Sequence, residues 1–593
     1  MKLNIFFVRS MSIIMMLVLT AVSLILGLVM FCISTAVTGQ NFYFPWLLFG
    51  DILIPLALFI PAIVYRNRYC ALAAIVTSFI NIFMRLVTII IFNETLMPLD
   101  YYSVRLLLEH TDMSALKAIL GSTFYLWAIP LFLVTLGMVT YCCVVTWKTV
   151  DKTSHAISRN SLKIFYILLG LSLLSNTAFQ IIRFCTSPDN YLAVRPLPLI
   201  VVNLTQRSFS GLYNSKVYTP LPIPESSRKI LEGMKLLPPQ GSEEIPKKAV
   251  FDKIIIIAVE SLDYDFIGCT NPEMPEGITP NLDRFSSEYF SMSNYYAASQ
   301  PTSWGLASLL LSRLDYDRDR YINPTSLYSI AREQGYKSFY FSAASGNFGD
   351  NRRIYLQLFK PDKSMFREEW QQKYPIRHTS QWGLSDNDLY KCVLQELEAG
   401  KHRKFIAVIS TVDTHPPCFV HDELTEADKA RFPSVFLQSL HNTDREIGKF
   451  IRALMDDPDF YDDKTLIIIT ADHTATFGEN YLKRTDFTPD RIPLIFICRN
   501  QKLFAKLNPE KFASSIDLTP TLAGMIGATA PESFMGRDLF SDKNCAITRI
   551  FGDTLILYSP EGVWSTPTAT CDENNLRHKA VCDFFYFHYG KPE

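Results

Sequence analysis

The chain has 593 residues, 48% of them hydrophobic and 19% charged, with a formal net charge of -1. That length exceeds what one compact core holds, and a near-neutral balance supplies no global basic field for nucleic acid. The first third is too apolar to be soluble throughout.

Five apolar runs open the chain: Ser12 to Val37, Pro45 to Tyr65, Ala71 to Phe92, Thr123 to Trp147 and Leu162 to Ile182. Each is about 20 residues or longer, enough to cross a hydrocarbon core, so residues 1–185 are predicted to form a five-helix transmembrane bundle. Lys2 and Arg9, then Arg66 and Arg68, then Lys148, Lys152, Arg159 and Lys163 mark one side, and the loop 38–44 on the other side has no basic residue. By the positive-inside rule the amino terminus is cytoplasmic and everything after Ile182 is outside. The first run is too long for a cleaved leader and four more follow it.

The outer loop 93–122 has Leu and Val at helical spacing between Arg105, Glu109, Asp112 and Lys117, which suits either a membrane-surface helix or a packed cap on the bundle. Asn81 and Arg85 are costly in lipid and are expected to face the bundle interior or a headgroup. Residues 186–250 are rich in Pro and polar residues and read as an extended connector.

Residues 251–593 read as a soluble α/β domain, periplasmic or extracellular. Apolar β-branched runs at "KIIIIAVES", "KSFYFSA", "KFIAVIST", "KTLIIITAD" and "IPLIFICR" alternate with helical stretches such as "SLHNTDREIGKFIRALMDD". That alternation predicts a central, mostly parallel sheet covered by helices on both faces, with ligands beyond the carboxyl ends of its strands.

Three of those ends carry acid or imidazole groups: Glu260 after the first strand, Asp413 and His415 after "FIAVIST", and Asp472-His473 after "TLIIITA". Glu260 taken alone also suits a helix cap. Together, Asp, Glu and His suit a hard or borderline divalent ion such as Mn2+ or Zn2+. A nucleophile for such a centre stands in "AASQPTSWGLASLLL", where Thr302 opens a predicted helix; its first turn would favour a phosphate, and a plain N-cap is the other reading of Thr302 or Ser303.

The ordered set "VES", "PTS", "WGLSDNDL", "DTHPP" and "ADHTATFGE", with "SSIDLTPTLAGMIGATAPESFMGRDL", resembles the alkaline phosphatase and sulfatase superfamily, and within it the lipoteichoic acid synthase-like enzymes. The resemblance covers nearly the whole chain. It implies a metal site of Glu260, Thr302, Asp472 and His473, with Thr302 as nucleophile, His415 at the headgroup or leaving group, and Arg352 of "GNFGDNRR" at the headgroup; Gly349 and Asp350 replace the family's usual aromatic there. One divalent metal ion is implied, Mn2+ favoured, with Zn2+ or Mg2+ as alternatives.

The implied activity is a membrane-anchored phosphoglycerol transferase, moving a headgroup from a phospholipid donor to a cell-envelope glycan or glycolipid through a phosphothreonine. The alternatives are a phosphoethanolamine transferase acting on lipid A or a glycan, and an inactive lipid-binding relative. The formylglycine motif of sulfatases, Cys/Ser-x-Pro-x-Arg, has no counterpart in "QPTSWGLAS". Of the 12 cysteines, Cys571 and Cys582 are the pair expected to join in an oxidising compartment, which favours a periplasm and an inner-membrane location.

Overall fold

The computed structural model describes residues 222–237, 249–314, 324–347, 351–380, 382–398, 404–415, 418–421, 424–475, 491–550, 554–567 and 576–589. All lie in one compact unit, Lys216–Glu593. Among the described residues no helix is long and apolar enough to cross a membrane, and the five predicted spans lie outside them.

The helices are α1 (Glu225–Gly233), α2 (Pro280–Glu288), α3 (Thr302–Leu311), α4 (Leu327–Glu333), α5 (Asn351–Phe359), α6 (Arg367–Lys373), α7 (Asp386–Glu398), α8 (Glu426–Arg431), α9 (Val435–Met455), α10 (Leu518–Met525) and α11 (Leu576–Tyr589). The strands are β1 (Lys253–Val259), β2 (Phe290–Ser291), β3 (Tyr295–Tyr296), β4 (Lys337–Ser342), β5 (Lys363–Met365), β6 (Phe405–Ser410), β7 (Thr465–Ala471), β8 (Leu494–Ile497), β9 (Ala513–Ser514), β10 (Ala546–Ile550), β11 (Thr554–Ser559) and β12 (Gly562–Pro567).

Seven strands form the central sheet in the order β2-β8-β7-β1-β6-β4-β5. The run from β7 to β5 is parallel, and β8 is antiparallel to both of its neighbours. Every residue of β1, β6 and β7 is buried, which explains their continuous β-branched sequence: a strand covered on both faces has no polar side. Two groups of helices supply the cover, α2, α7 and α9 packing together in one and α3, α4, α5 and α10 in the other. α9 shows how the sequence specifies its place. Ser434 caps it by accepting the Leu437 N–H at 3.2 Å, and Leu437, Leu440, Ile447, Ile451 and Leu454 bury one stripe at helical spacing.

The β-rich runs read from the sequence form β1, β4, β6, β7 and β8. The three-stranded antiparallel sheet β10-β11-β12 was not foreseen. It packs with α11, which in turn packs on α1. Residues Glu225–Gly233, within the stretch expected to be an extended connector, therefore contribute a helix to the compact unit. Cys582 is disulfide-bonded, and Cys571, its expected partner, lies outside the described residues; Cys269, Cys392, Cys418, Cys498 and Cys545 are free thiols.

Candidate metal and nucleophile centre

Parallel pairing sets the site. Val259 of β1 lies opposite Ala471 of β7, so Glu260 and Asp472, one residue further, leave adjacent strands side by side. β6 ends beside them, with Ser410 paired to Ala258. Its continuation grips Glu260 through the backbone: the Glu260 N–H donates to Thr411 Oγ1 at 3.0 Å, and the Thr414 hydroxyl donates to the Glu260 carbonyl.

Ser261 follows with φ of 52°, in the left-handed region that a residue with a side chain seldom occupies. The turn serves both carboxylates. Its N–H donates to Asp472 Oδ1 at 3.0 Å and its hydroxyl donates to Glu260 Oε1 at 2.7 Å.

Thr302 reaches the same point from α3. Its hydroxyl donates to Glu260 Oε2 at 3.1 Å and lies 3.2 Å from His473 Nε2. The approach depends on Gly305: a Cβ there would stand 2.0 Å from the Asp472 carbonyl oxygen, so only glycine lets the helix come this close. The first-turn amides of Thr302 and Ser303 have no preceding helical carbonyl to bond, leaving the positive end of the helix next to the hydroxyl. Ser303, the spare hydroxyl, sits one residue further round that turn.

Glu260, Asp472 and His473 each offer an atom within 4.8 Å of the others, and all three are buried. His473 Nε2 lies 3.4 Å from Glu260 Oε1 and 3.5 Å from Asp472 Oδ2. Its Nδ1 lies 2.7 Å from the Thr474 carbonyl, an acceptor that places a ring proton on Nδ1 and turns Nε2 toward the carboxylates. Asp472 Oδ2 is buried with no hydrogen-bond partner. A buried carboxylate oxygen is costly to leave so, and two acids, a hydroxyl and an imidazole converging there fit a divalent cation.

The charges respond to this crowding. Burial, then repulsion from Glu260, pushes Asp472 up to about 7. Burial opposes ionisation of Glu260 too, but the His473 hydrogen bond and the charges of His415 and His473 outweigh it and hold the carboxyl at about 2. Burial disfavours a charged His473, yet Asp472 and Glu260 carry it up to about 10.

His415 adds to the positive charge that lowers Glu260, and its ring lies against Trp382, with centroids 4.1 Å apart and planes tilted by 42°. Arg352 is engaged elsewhere. Its guanidinium donates to Asn347 Oδ1 at 2.8 Å, pairs with Glu368 Oε2 at 3.0 Å and Glu369 Oε1 at 2.8 Å, and lies over Phe366. Those contacts bind the start of α5 to α6 and include no member of the Glu260–His473 group. Asp413 likewise turns away, toward the start of α7.

Sequence reasoning gave no role to Ser261, Gly305, Thr411, Thr414 or Trp382. "VES" and "PTSWG" contain the signals, a serine beside the acid and a glycine one turn after the threonine, but their use depends on contacts between distant segments.

Residues 252–528 match the family model described as Sulfatase. No curated protein matches the chain. Among solved structures it is similar to the integral membrane protein lipooligosaccharide phosphoethanolamine transferase A (EptA) from Neisseria meningitidis, at 14% identity and a TM-score of 0.50 over 83% of this chain and 96% of that one. It is also similar to the lipoteichoic acid synthase LtaP from Listeria monocytogenes, at 18% identity and 0.46 over 61% and 96%. A protein in the alkaline phosphatase superfamily from Vibrio parahaemolyticus matches at 19% identity and 0.48 over 62% and 97%. At these identities the likeness is one of fold.

Proposed function

Because residues 252–528 carry a sulfatase-family domain, we propose that this protein is a membrane-anchored, metal-dependent phosphotransferase that moves a phosphoglycerol headgroup from a phospholipid to a cell-envelope glycan or glycolipid. The observation that carries the reading is the Thr302 hydroxyl, 3.1 Å from Glu260 and 3.2 Å from His473 at a helix amino terminus. A hydroxyl so placed suits a nucleophile, and it lies inside the helix, one residue past the N-cap Pro301.

A divalent ion held by Glu260, Thr302, Asp472 and His473 would lower the pKa of the Thr302 hydroxyl and neutralise phosphoryl oxygens. Glu260 and His473 orient Thr302 Oγ1 toward the lipid phosphorus. In the first half-reaction the Thr302 hydroxyl loses its proton to solvent, the Oγ1–P bond forms, the bond from phosphorus to the diacylglycerol oxygen breaks, and His415 gives that oxygen a proton. In the second, an acceptor hydroxyl loses its proton to His415 and attacks phosphorus, the bond to Thr302 breaks, and Oγ1 takes a proton back from solvent. The free amides at the start of α3 support the non-bridging oxygens in both steps. Tethering to the five apolar runs of residues 1–185 would keep the domain at the surface where the donor lies. The disulfide at Cys582 supports an oxidising compartment.

The test is mass spectrometry of the full chain after incubation with phosphatidylglycerol or phosphatidylethanolamine vesicles. An adduct on Thr302 from phosphatidylglycerol is expected. An adduct only from phosphatidylethanolamine replaces the headgroup, and no adduct from either, with no bound metal, sinks the enzyme reading.

A further inference from the structure

The segment from Trp382 to Asp386 enters none of the steps above, though it stands out in the sequence. Gly383 lets it run against the end of β4: the Leu384 N–H donates to the Ala343 carbonyl at 3.0 Å, and a Cβ on Gly383 would stand 2.2 Å from that oxygen. The Ser345 N–H donates to the Trp382 carbonyl at 3.1 Å. Trp382 is thereby fixed against His415.

At its other end Asp386 exchanges hydrogen bonds with the turn that carries His415. Its Oδ1 accepts the Val412 N–H at 3.0 Å and the Asp413 N–H at 3.3 Å, while its own N–H donates to Asp413 Oδ2 at 3.0 Å. The Thr443 hydroxyl, from α9, donates to Asp386 Oδ2 at 3.3 Å. Both carboxylates are 0% exposed, and the turn closes with the His415 N–H donating to the Val412 carbonyl at 2.9 Å. Two buried acids lie this close at a cost. A fold that needed only a helix cap at α7 would be served by Asp413 alone.

We propose that Asp386 is a positioning residue for His415: by holding the Val412 and Asp413 amides it sets the turn that presents the imidazole against Trp382. This rests on the reading of His415 as the group that serves the leaving and attacking oxygens. Without the Asp386 carboxylate two buried amides lose their acceptor and the turn relaxes. A displacement of about 1 Å at a reacting group can cost about 100-fold in rate.

The experiment uses the full chain in detergent and compares the parent with D386A and D386N. In D386A, hydrogen exchange at Val412 and Asp413 should quicken, and kcat for headgroup release should fall about 100-fold with little change in KM. D386N, whose side-chain oxygen still accepts from both amides, should restore both. Unchanged exchange and kcat in D386A overturn the proposal. Should D386A fail to fold, D386N decides: native protection of the two amides is required, and its loss overturns the proposal. The exchange readout needs no substrate, so a protein that transfers nothing yet shows the clamp separates failure of the transfer reading from failure of this one.

Discussion

Asp472 and Asp517 are both buried carboxylates, each 1% exposed, in the same domain. Asp517 is closed: Oδ2 accepts the Ser514 N–H at 2.9 Å, and Oδ1 accepts the Arg537 N–H at 2.8 Å and the Lys543 ammonium at 2.5 Å. Asp472 is open. Its Oδ1 is held by two backbone amides, while Oδ2 meets no hydrogen-bond partner and faces Glu260 and His473. A cluster whose polar atoms are all engaged stabilises the fold, whereas one that leaves an acceptor buried and bare stores a binding capacity at some expense in stability.

That contrast can be broken at either end. The largest effect is expected at Asp472→Asn: transfer falls by about 1000-fold or more, the scale of losing a member of a concerted site. Divalent-ion affinity in titration calorimetry falls at least about 100-fold. The Tm of the metal-free protein should hold or rise, because one of two facing buried acids is gone. A fall in Tm would mean that Asp472 is structural after all.

Lys543→Met should do the reverse. Breaking a buried pair strands Asp517 and costs about 3–5 kcal/mol in denaturant unfolding, while the molecules still folded transfer at the parental rate. Next comes Gly305→Ala, where a methyl at the position 2.0 Å from the Asp472 carbonyl must push α3 away. Activity should fall about 100-fold with the metal content retained, since three of the four proposed ligands, Glu260, Asp472 and His473, follow β1 and β7 rather than belong to α3; loss of the metal instead would make Thr302 an essential ligand.

The smallest effect lies away from both clusters. Burial and the Arg313 charge depress His588 to about 3. The unfolded chain then binds a proton that the folded chain refuses between about pH 6.5 and 3, so stability is complete above 6.5 and is lost as pH falls through that window. The slope is on the order of 1 kcal/mol per pH unit. His588→Gln should flatten it in urea titrations at pH 5 and 7.

The positions of β1, β6 and β7 were legible because a strand buried on both faces must be written in apolar, β-branched residues. Their polar successors Glu260 and Asp472 were legible as ends of those runs. Arg352 illustrates where such reading stops: the family resemblance places it at a headgroup, and only the fold shows Glu368 and Glu369 paired with it. The sheet β10-β11-β12 was missed since "AITRI", "TLILYS" and "GVWSTP" mix polar residues with apolar ones and make no continuous β-branched run.

What the sequence determined by itself is the chemistry on offer: which strand ends carry acids and an imidazole, and which helix begins with a hydroxyl. Local patterning encodes such things because burial and periodicity are properties of neighbours in the chain. The tertiary structure alone decided that Val259 pairs with Ala471, that Gly305 admits Thr302 to the carboxylates, and that Ser261 turns to hold both. Apart from the bond between the adjacent Ser261 and Glu260, these are contacts between segments about 40 to 210 residues apart, whose closeness depends on how parallel strands align and how helices pack against them.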